Sequence, residues 1–262
     1  MSFSTLEEGR MMSFWFVGAR VAFVTALLAS AGGALSVVKA PTDGEAVIRA
    51  MHDKYAKRWY RTLSFTQQTT LRTKADTMAK ETWKERSVLP GRLRIDIERA
   101  AGDLTAVYSG DSLFVWRGDS TLTRAATRNI LLIIGFDVYT QSADSTLAAL
   151  RSEHFAMTPL REDSWKGRPV YVLGAATGDL HSHQLWIEKE RLLFVRAIQP
   201  DERDSTKTVD FRFDNYVQVP GGWLSETVEA YTDSKLVQRE EYSDVHTNIP
   251  IDPQIFVPPA SR

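Results

Sequence analysis

The residue types that most often bind metals are few and scattered in this sequence. His181 and His183 stand two apart, so on a strand both side chains would point to one face, and with Asp179 they could bind a metal ion. Exposed histidines at the edge of a turn fit the same spacing and are the favoured interpretation. We therefore predict no metal site and no cofactor.

Catalytic motifs are equally hard to find. The sequence contains no cysteine, which excludes a thiol nucleophile, a disulfide framework and a cysteine-based metal site. It contains no Gly-x-Ser-x-Gly elbow, and a Ser/His/Asp triad could be drawn only from residues far apart in the chain. Gly110 and Gly118 fall in predicted hairpin turns, which does not support a phosphate-binding loop. The prediction is a protein that is not an enzyme, with a hydrolase as the weakest alternative.

The first forty residues differ sharply from the rest. Arg10 and Arg20 precede an uncharged stretch, residues 21–38, that contains Ala29-Ser30-Ala31. A basic region, an apolar core and small residues before a cleavage point predict a secretory signal peptide over residues 1–31, followed by a short linker over residues 32–41. An uncleaved membrane anchor is the alternative. Because no cysteine follows the cleavage point, the exported protein is not expected to be a lipoprotein.

Net charge limits the class of partner. The formal charge of the chain is −1 at pH 7, which gives no electrostatic case for binding nucleic acid. The region after the linker, residues 42–262, shows no repeat and no second boundary, so a single domain is predicted there.

An amphipathic helix is predicted directly after Pro41. Thr42 and Glu45 have the spacing of a capping box. Apolar side chains then recur at three- and four-residue steps, at Val47, Ile48, Met51, Tyr55 and Trp59. This stripe needs an apolar surface to cover it.

From Leu63 onward the apolar period changes to two, which predicts β-strands. Leu93, Ile95 and Ile97 alternate with charged residues and form the clearest half-buried strand. Short turn signals such as Pro90-Gly91 separate the strands, so an antiparallel meander is expected. The predicted strands are 63–71, 81–88, 93–97, 105–108, 112–117, 169–173, 183–187, 192–199, 209–213, 223–231 and 236–245.

Two features interrupt this pattern. Residues 130–134 form a short apolar run without alternation and lead into a predicted helix over residues 144–152. Several strands are also apolar on both faces, as Phe114 and Trp116 against Leu113 and Val115 show. Such a sheet must be covered on both faces or must hold a ligand on one of them.

Several short motifs resemble the outer-membrane lipoprotein-sorting proteins, the periplasmic carriers of the LolA and LolB type. They are Phe65-Thr66-Gln67 at the first strand, Pro90 followed by Gly91-Arg92-Leu93 at an inner strand, and the hairpin at Ser109-Gly110-Asp111. The closing segment Asp252-Pro253-Gln254-Ile255-Phe256 is similar as well. The resemblance covers roughly residues 43 to 259. The family pattern has an arginine directly before the proline, where this sequence has Leu89.

The resemblance implies a mainly β (α+β) fold: an incomplete antiparallel β-barrel, or half-barrel, with an N-terminal helix and a helical insertion over an apolar cavity. It further implies a periplasmic carrier or chaperone that binds lipid or lipoprotein acyl chains, acts with inner- and outer-membrane sorting components and is a monomer. Envelope-stress sensing or protein interaction on the same fold is the alternative. The candidate cavity residues are Tyr55, Trp59, Phe65, Leu93, Ile95, Phe114, Trp116, Ile130, Ile133, Trp186, Phe194, Phe211 and Phe213.

Overall fold

A computed structural model of the chain describes residues 40–73, 75–99 and 102–259. The predicted signal peptide and nearly all of the predicted linker lie outside these ranges. Within them, no helix has the length and apolar character needed to cross a membrane.

The first element is helix α1, Gly44–Tyr55. Its N-cap is Asp43, whose side chain accepts a hydrogen bond from the Ala46 amide at 2.8 Å. The predicted capping box of Thr42 and Glu45 is therefore wrong: the cap falls one residue later. The helix ends at Tyr55, so Trp59 belongs to the following turn and not to the helical stripe in which the sequence pattern placed it.

One antiparallel sheet of 13 strands makes up most of the structure. Within β1–β6 and within β7–β13 each strand pairs with the next along the chain, as the short turn signals predict. The strands are β1 (Thr62–Arg72), β2 (Met78–Val88), β3 (Arg92–Glu98), β4 (Leu104–Ser109), β5 (Ser112–Arg117), β6 (Ser120–Ala126), β7 (Leu160–Trp165), β8 (Arg168–Leu173), β9 (Gln184–Glu188), β10 (Leu193–Pro200), β11 (Thr208–Val219), β12 (Gly222–Thr232) and β13 (Lys235–Thr247).

The pairing of the first and last strands joins the two halves of the meander. β1 lies between β2 and β13, with Gln67 opposite Tyr242 and Thr69 opposite Glu240. At the other end of each half, β6 and β7 have only one neighbour, so the sheet does not close. This open antiparallel barrel confirms the predicted fold class. The two edge strands are not among the predicted ones, because neither carries the apolar alternation of a half-buried strand.

A helical insertion connects the two edge strands. It consists of α2 (Ile130–Gly135), a 3₁₀ turn (Asp137–Tyr139) and α3 (Ala143–Ser152). Asn129 caps α2 by accepting from the amides of Leu131 and Leu132, and Ser142 caps α3 by accepting from the amide of Ser145. The helix predicted over residues 144–152 is therefore confirmed.

Both α1 and the helical insertion cover the same face of the sheet, which we call the helix face. Its strand residues, among them Leu63, Phe65 and Ile95, share one continuous apolar core with the helices. Exposed ion pairs, such as Arg49 with Asp144 at 2.6 Å, tie α1 to α3 at the surface. On the opposite face, a C-terminal 3₁₀ turn (Pro253–Phe256) packs against β3 and β4 through Phe256.

Candidate functional site

The layer between the helix face and the helices is the largest apolar region of the described chain. Ten of the thirteen candidate cavity residues lie in it, at its centre or packed against it. They are Tyr55, Trp59, Phe65, Leu93, Ile95, Ile130, Ile133, Phe194, Phe211 and Phe213. The structure thus brings these residues together, whereas their contact with a ligand stays a prediction.

Aromatic rings hold the turn after α1 against the helical insertion. The Trp59 ring stacks on Tyr139 with centroids 3.9 Å apart, and Tyr55 meets Trp59 edge-on at 4.9 Å. Tyr139 is fully buried, and its hydroxyl accepts a hydrogen bond of 3.1 Å from the backbone amide of Phe194. A backbone donor of β10 is thereby satisfied by the insertion, which fixes the position of the insertion over the sheet.

Helix α2 rests directly on the sheet. Gly135 lies so close to Phe213 of β11 that a Cβ atom there would be 3.0 Å from the phenyl ring. Leu132, Ile133 and Ile134 are buried, whereas Ile130 at the first turn is partly exposed. The apolar run that interrupts the strand pattern is therefore a short helix that presents most of its side chains to the helix face.

The helical insertion is fixed to the sheet by a buried carboxyl group. Both oxygens of Asp137 lie 3.0 Å from the amide of Gly91, which is in the turn between β2 and β3. Asp137 is 3% exposed. Burial raises the pKa of this carboxyl group to about 7, although the hydrogen bond from Gly91 acts in the opposite direction. No periodic pattern could indicate this role in advance, because the hydrogen-bond partner lies 46 residues away in the chain.

The remaining three candidate residues lie on the opposite face. Trp116 packs with Val107 and Phe256, and Phe114 lies beside this cluster. Trp186 packs with Val170, Val172 and Val195. In each strand the alternate residues, such as Leu113 and Val115, are the ones that enter the helix-face core. Both faces of these strands are covered, so the alternation could not show which face adjoins the helices.

A cation stacked between tryptophans lies beside Trp186. The Arg196 guanidinium is 4.4 Å from the Trp165 ring centroid and 4.8 Å from that of Trp186, and it pairs with Asp210 at 2.7 Å. A cleft of about 330 Å³ opens next to this stack and includes Lys166 and Arg168 in its lining. Lys166 pairs with Asp214 and Glu188 pairs with Arg191, so the cleft is a weaker candidate site than the helix face.

Three polar side chains on the helix face are absent from the predicted site. Gln67, Glu85 and Glu240 are all buried among the apolar residues of the central strands. A signal for Gln67 exists in the sequence, because it alternates in phase with Leu63 and Phe65. The two glutamates come together only through pairing of strands that are far apart in the chain.

Within residues 40–73, 75–99 and 102–259, no group of three or more His, Cys, Asp or Glu side chains could hold a metal ion. Instead, the Asp179 side chain accepts hydrogen bonds from the backbone amides of His181 and Ser182, which stabilise a turn. The His183 ring packs edge-on against Phe155 at 5.1 Å.

The position that carries arginine in the lipoprotein-sorting pattern is part of the apolar core. Leu89 is 4% exposed there. Of the nearby arginines, Arg86 and Arg94 both pair with Asp96 across the opposite face. No cation therefore takes over the position of the missing arginine in the part of the chain that is described.

The comparisons with known proteins identify the fold. No family model matches the sequence, and no curated protein matches it. Among solved structures, the chain is similar to an outer membrane lipoprotein-sorting protein domain from Vibrio parahaemolyticus, with a TM-score of 0.57 and 10% identity over 81% of this chain and 95% of that one. It is also similar to a LolA superfamily protein from Nitrosomonas europaea, with a TM-score of 0.54 and 15% identity over 80% of this chain and 97% of that one. The chain therefore has a LolA-like fold, an open antiparallel β-barrel with helices covering one face.

Proposed function

We propose that this protein is a periplasmic carrier that binds an acyl chain of a lipid or lipoprotein between the helix face and the helices. The observation that carries the proposal is the apolar layer itself, to which α1, α2 and the central strands all contribute side chains. Burial of a hydrocarbon chain contributes about 0.8 kcal/mol per methylene group, so such a site needs no catalytic residue. The proposal therefore describes a binding protein that is not an enzyme.

Entry of a chain requires helix α2 to move away from the sheet, whereas the 3₁₀ turn stays anchored through Asp137 and Tyr139. Helix α2 has only six residues and is held mainly by apolar contacts with the sheet, which a bound chain would replace with contacts of the same kind. Ile130 is partly exposed at its first turn and marks the edge at which a chain would enter. We further propose that residues 42–262 form a single domain and that the protein is a monomer. A signal peptide over residues 1–31 would direct its export.

Lipid extraction from the purified protein provides the first test. Acyl chains recovered by native mass spectrometry would support the carrier, whereas a protein that remains empty after exposure to membranes would contradict it. That second result would favour the alternative, an envelope-stress sensor or interaction domain of the same fold. Its partner would then be expected among the proteins of the envelope and not among the sorting components.

A charged residue at the entry edge provides a second test. We expect Ile130→Asp to weaken binding of a fluorescent fatty acid about tenfold, since a charge would replace apolar contact at the first turn of α2. The change should be tolerated by the fold, because an acidic residue is favourable at a helix N-terminus. Leu122→Asp is the matched control, since Leu122 is 47% exposed on β6. Equal binding by the two variants would contradict the proposed site.

A further inference from the structure

Gln67, Glu85 and Glu240 form a polar cluster on the helix face. Phe65 pairs with Glu85 across β1 and β2, and Thr69 pairs with Glu240 across β1 and β13. Gln67, midway between Phe65 and Thr69, is therefore one diagonal step from each glutamate. Diagonal neighbours on one sheet face are within reach of long side chains. The three side chains thus converge from three adjacent strands.

The surroundings of the polar cluster are apolar. Glu85 is flanked in its own row by Phe65 and Ile95, and Glu240 stands opposite Val228. Glu85 is 8% exposed, Glu240 is 9% exposed and Gln67 is fully buried. The two glutamates are thus nearly withdrawn from water.

Hydrogen-bond acceptors are left over in the polar cluster. Glu240 accepts from the Tyr242 hydroxyl at 2.7 Å and from the Gln238 amide. Gln67 donates through Nε2 to Thr69 at 2.7 Å, but its Oε1 has no hydrogen-bond partner among the residues that the structure describes. In the described ranges, no hydrogen bond or ion pair reaches the Glu85 carboxyl group either. Buried acceptors without donors are costly and usually mark the place of an absent partner.

Other half-buried carboxylates of this sheet do have cationic partners. Glu81, which lies in the same row as Thr69 and Glu240, pairs with Arg99 at 2.8 Å. On the opposite face Asp210 pairs with both Arg196 and Arg212 at 2.7 Å. Among these carboxylates of the sheet the polar cluster differs in having no cationic partner, and an uncompensated carboxylate at such a site is unfavourable.

We propose that Glu85, Glu240 and the Gln67 carbonyl oxygen bind the primary ammonium group of an amphiphile. Its hydrocarbon chain would lie on the helix face, so the inference rests on the proposed function. A primary ammonium group carries three N–H donors, which match the three acceptor groups, and its charge compensates a carboxylate. An alcohol offers one donor and no charge, and a fatty acid would bring a further negative charge.

Proton binding by the glutamates sets the pH dependence of this site. Burial raises the pKa of Glu85 well above its ordinary range, and the charge of Glu240 adds to the effect. Burial also raises the pKa of Glu240, while the hydrogen bonds from Tyr242 and Gln238 act in the opposite direction. The other groups that face the polar cluster are Tyr108 of β4, whose pKa is raised by burial and by Glu85 and Glu202, and the Glu81–Arg99 pair. Binding of an ammonium group therefore becomes stronger as the pH rises and the glutamates ionise.

Calorimetric titration with dodecylamine, dodecanol and laurate tests the assignment. We expect the amine to bind about tenfold more tightly than the alcohol at neutral pH, because hydrogen bonds with charged groups are stronger than neutral ones. Glu85→Gln and Glu240→Gln should each reduce this preference to near unity. Glu241→Gln is the matched control, since Glu241 is the next residue of β13 and its side chain is 57% exposed.

The possible results separate this inference from the proposed function. Equal affinities for amine and alcohol, or a preference that persists in both Glu→Gln variants, would overturn the ammonium site while leaving the acyl-chain site in place. No binding of any of the three amphiphiles would overturn both. Thermal unfolding of the variants checks the fold, which glutamine should preserve because it has the shape of glutamate without its charge.

Discussion

Asp137 should make the stability of this protein depend on pH near neutrality. The residue is 3% exposed, and among the described residues its carboxyl group is hydrogen-bonded only to the Gly91 amide. Burial raises its pKa from an ordinary value of 3.8 to about 7. The folded state therefore binds a proton more tightly than the unfolded state does. The stabilisation that results is fully present below about pH 4 and is lost as the pH rises through about 7.

The size of the effect follows from the displaced pKa. Each tenfold change in proton affinity corresponds to about 1.4 kcal/mol, so the loss between about pH 4 and pH 8 amounts to roughly 4 kcal/mol. Asp137→Asn removes the titrating proton and keeps an oxygen that accepts the Gly91 amide. We expect the variant to match the wild type near pH 4 and to be more stable by a few kcal/mol near pH 8.

Urea unfolding followed by tryptophan fluorescence at a series of pH values measures this difference. Asp144→Asn is the control, because Asp144 lies in the same helical insertion with its side chain 80% exposed. A difference between Asp137→Asn and wild type that is constant from about pH 4 to pH 8 would refute the reasoning. A variant that loses stability at the higher pH would show instead that the charged hydrogen bond to Gly91 outweighs the cost of burial.

Two further changes test how the elements around the apolar layer are positioned. Asp43→Ala should lower the free energy of unfolding by about 1 kcal/mol, because the Ala46 amide loses its cap at the start of α1. Asp53→Ala, at an exposed position of the same helix, serves as its control in chemical denaturation. Gly222→Ala should cost about 1–3 kcal/mol, since its Cβ would lie 2.8 Å from the Trp59 ring. An unchanged midpoint for Gly222→Ala would show that Trp59 moves freely.

Much of the fold was determined by local periodicity in the sequence. Alternation at Leu93, Ile95 and Ile97 identified β3, and the three- and four-residue steps from Val47 identified α1. The short turn signals, such as Pro90-Gly91, required antiparallel neighbours. These features depend on residues close together in the chain, because a strand or helix with one buried face must repeat its apolar residues at the period of that element.

Tertiary structure alone decided which faces, edges and distant residues meet. The alternation of β5 fixed that Phe114 and Trp116 share a face, but only the position of the helices places Leu113 and Val115 on the inside. The edge strands β6 and β7 lack a buried face, so they left no periodic signal in the sequence. The pairing of β1 with β13 joins residues more than 160 positions apart and brings Glu240 beside Gln67. Local periodicity specifies an element but not its partner, which the packing of the whole sheet selects.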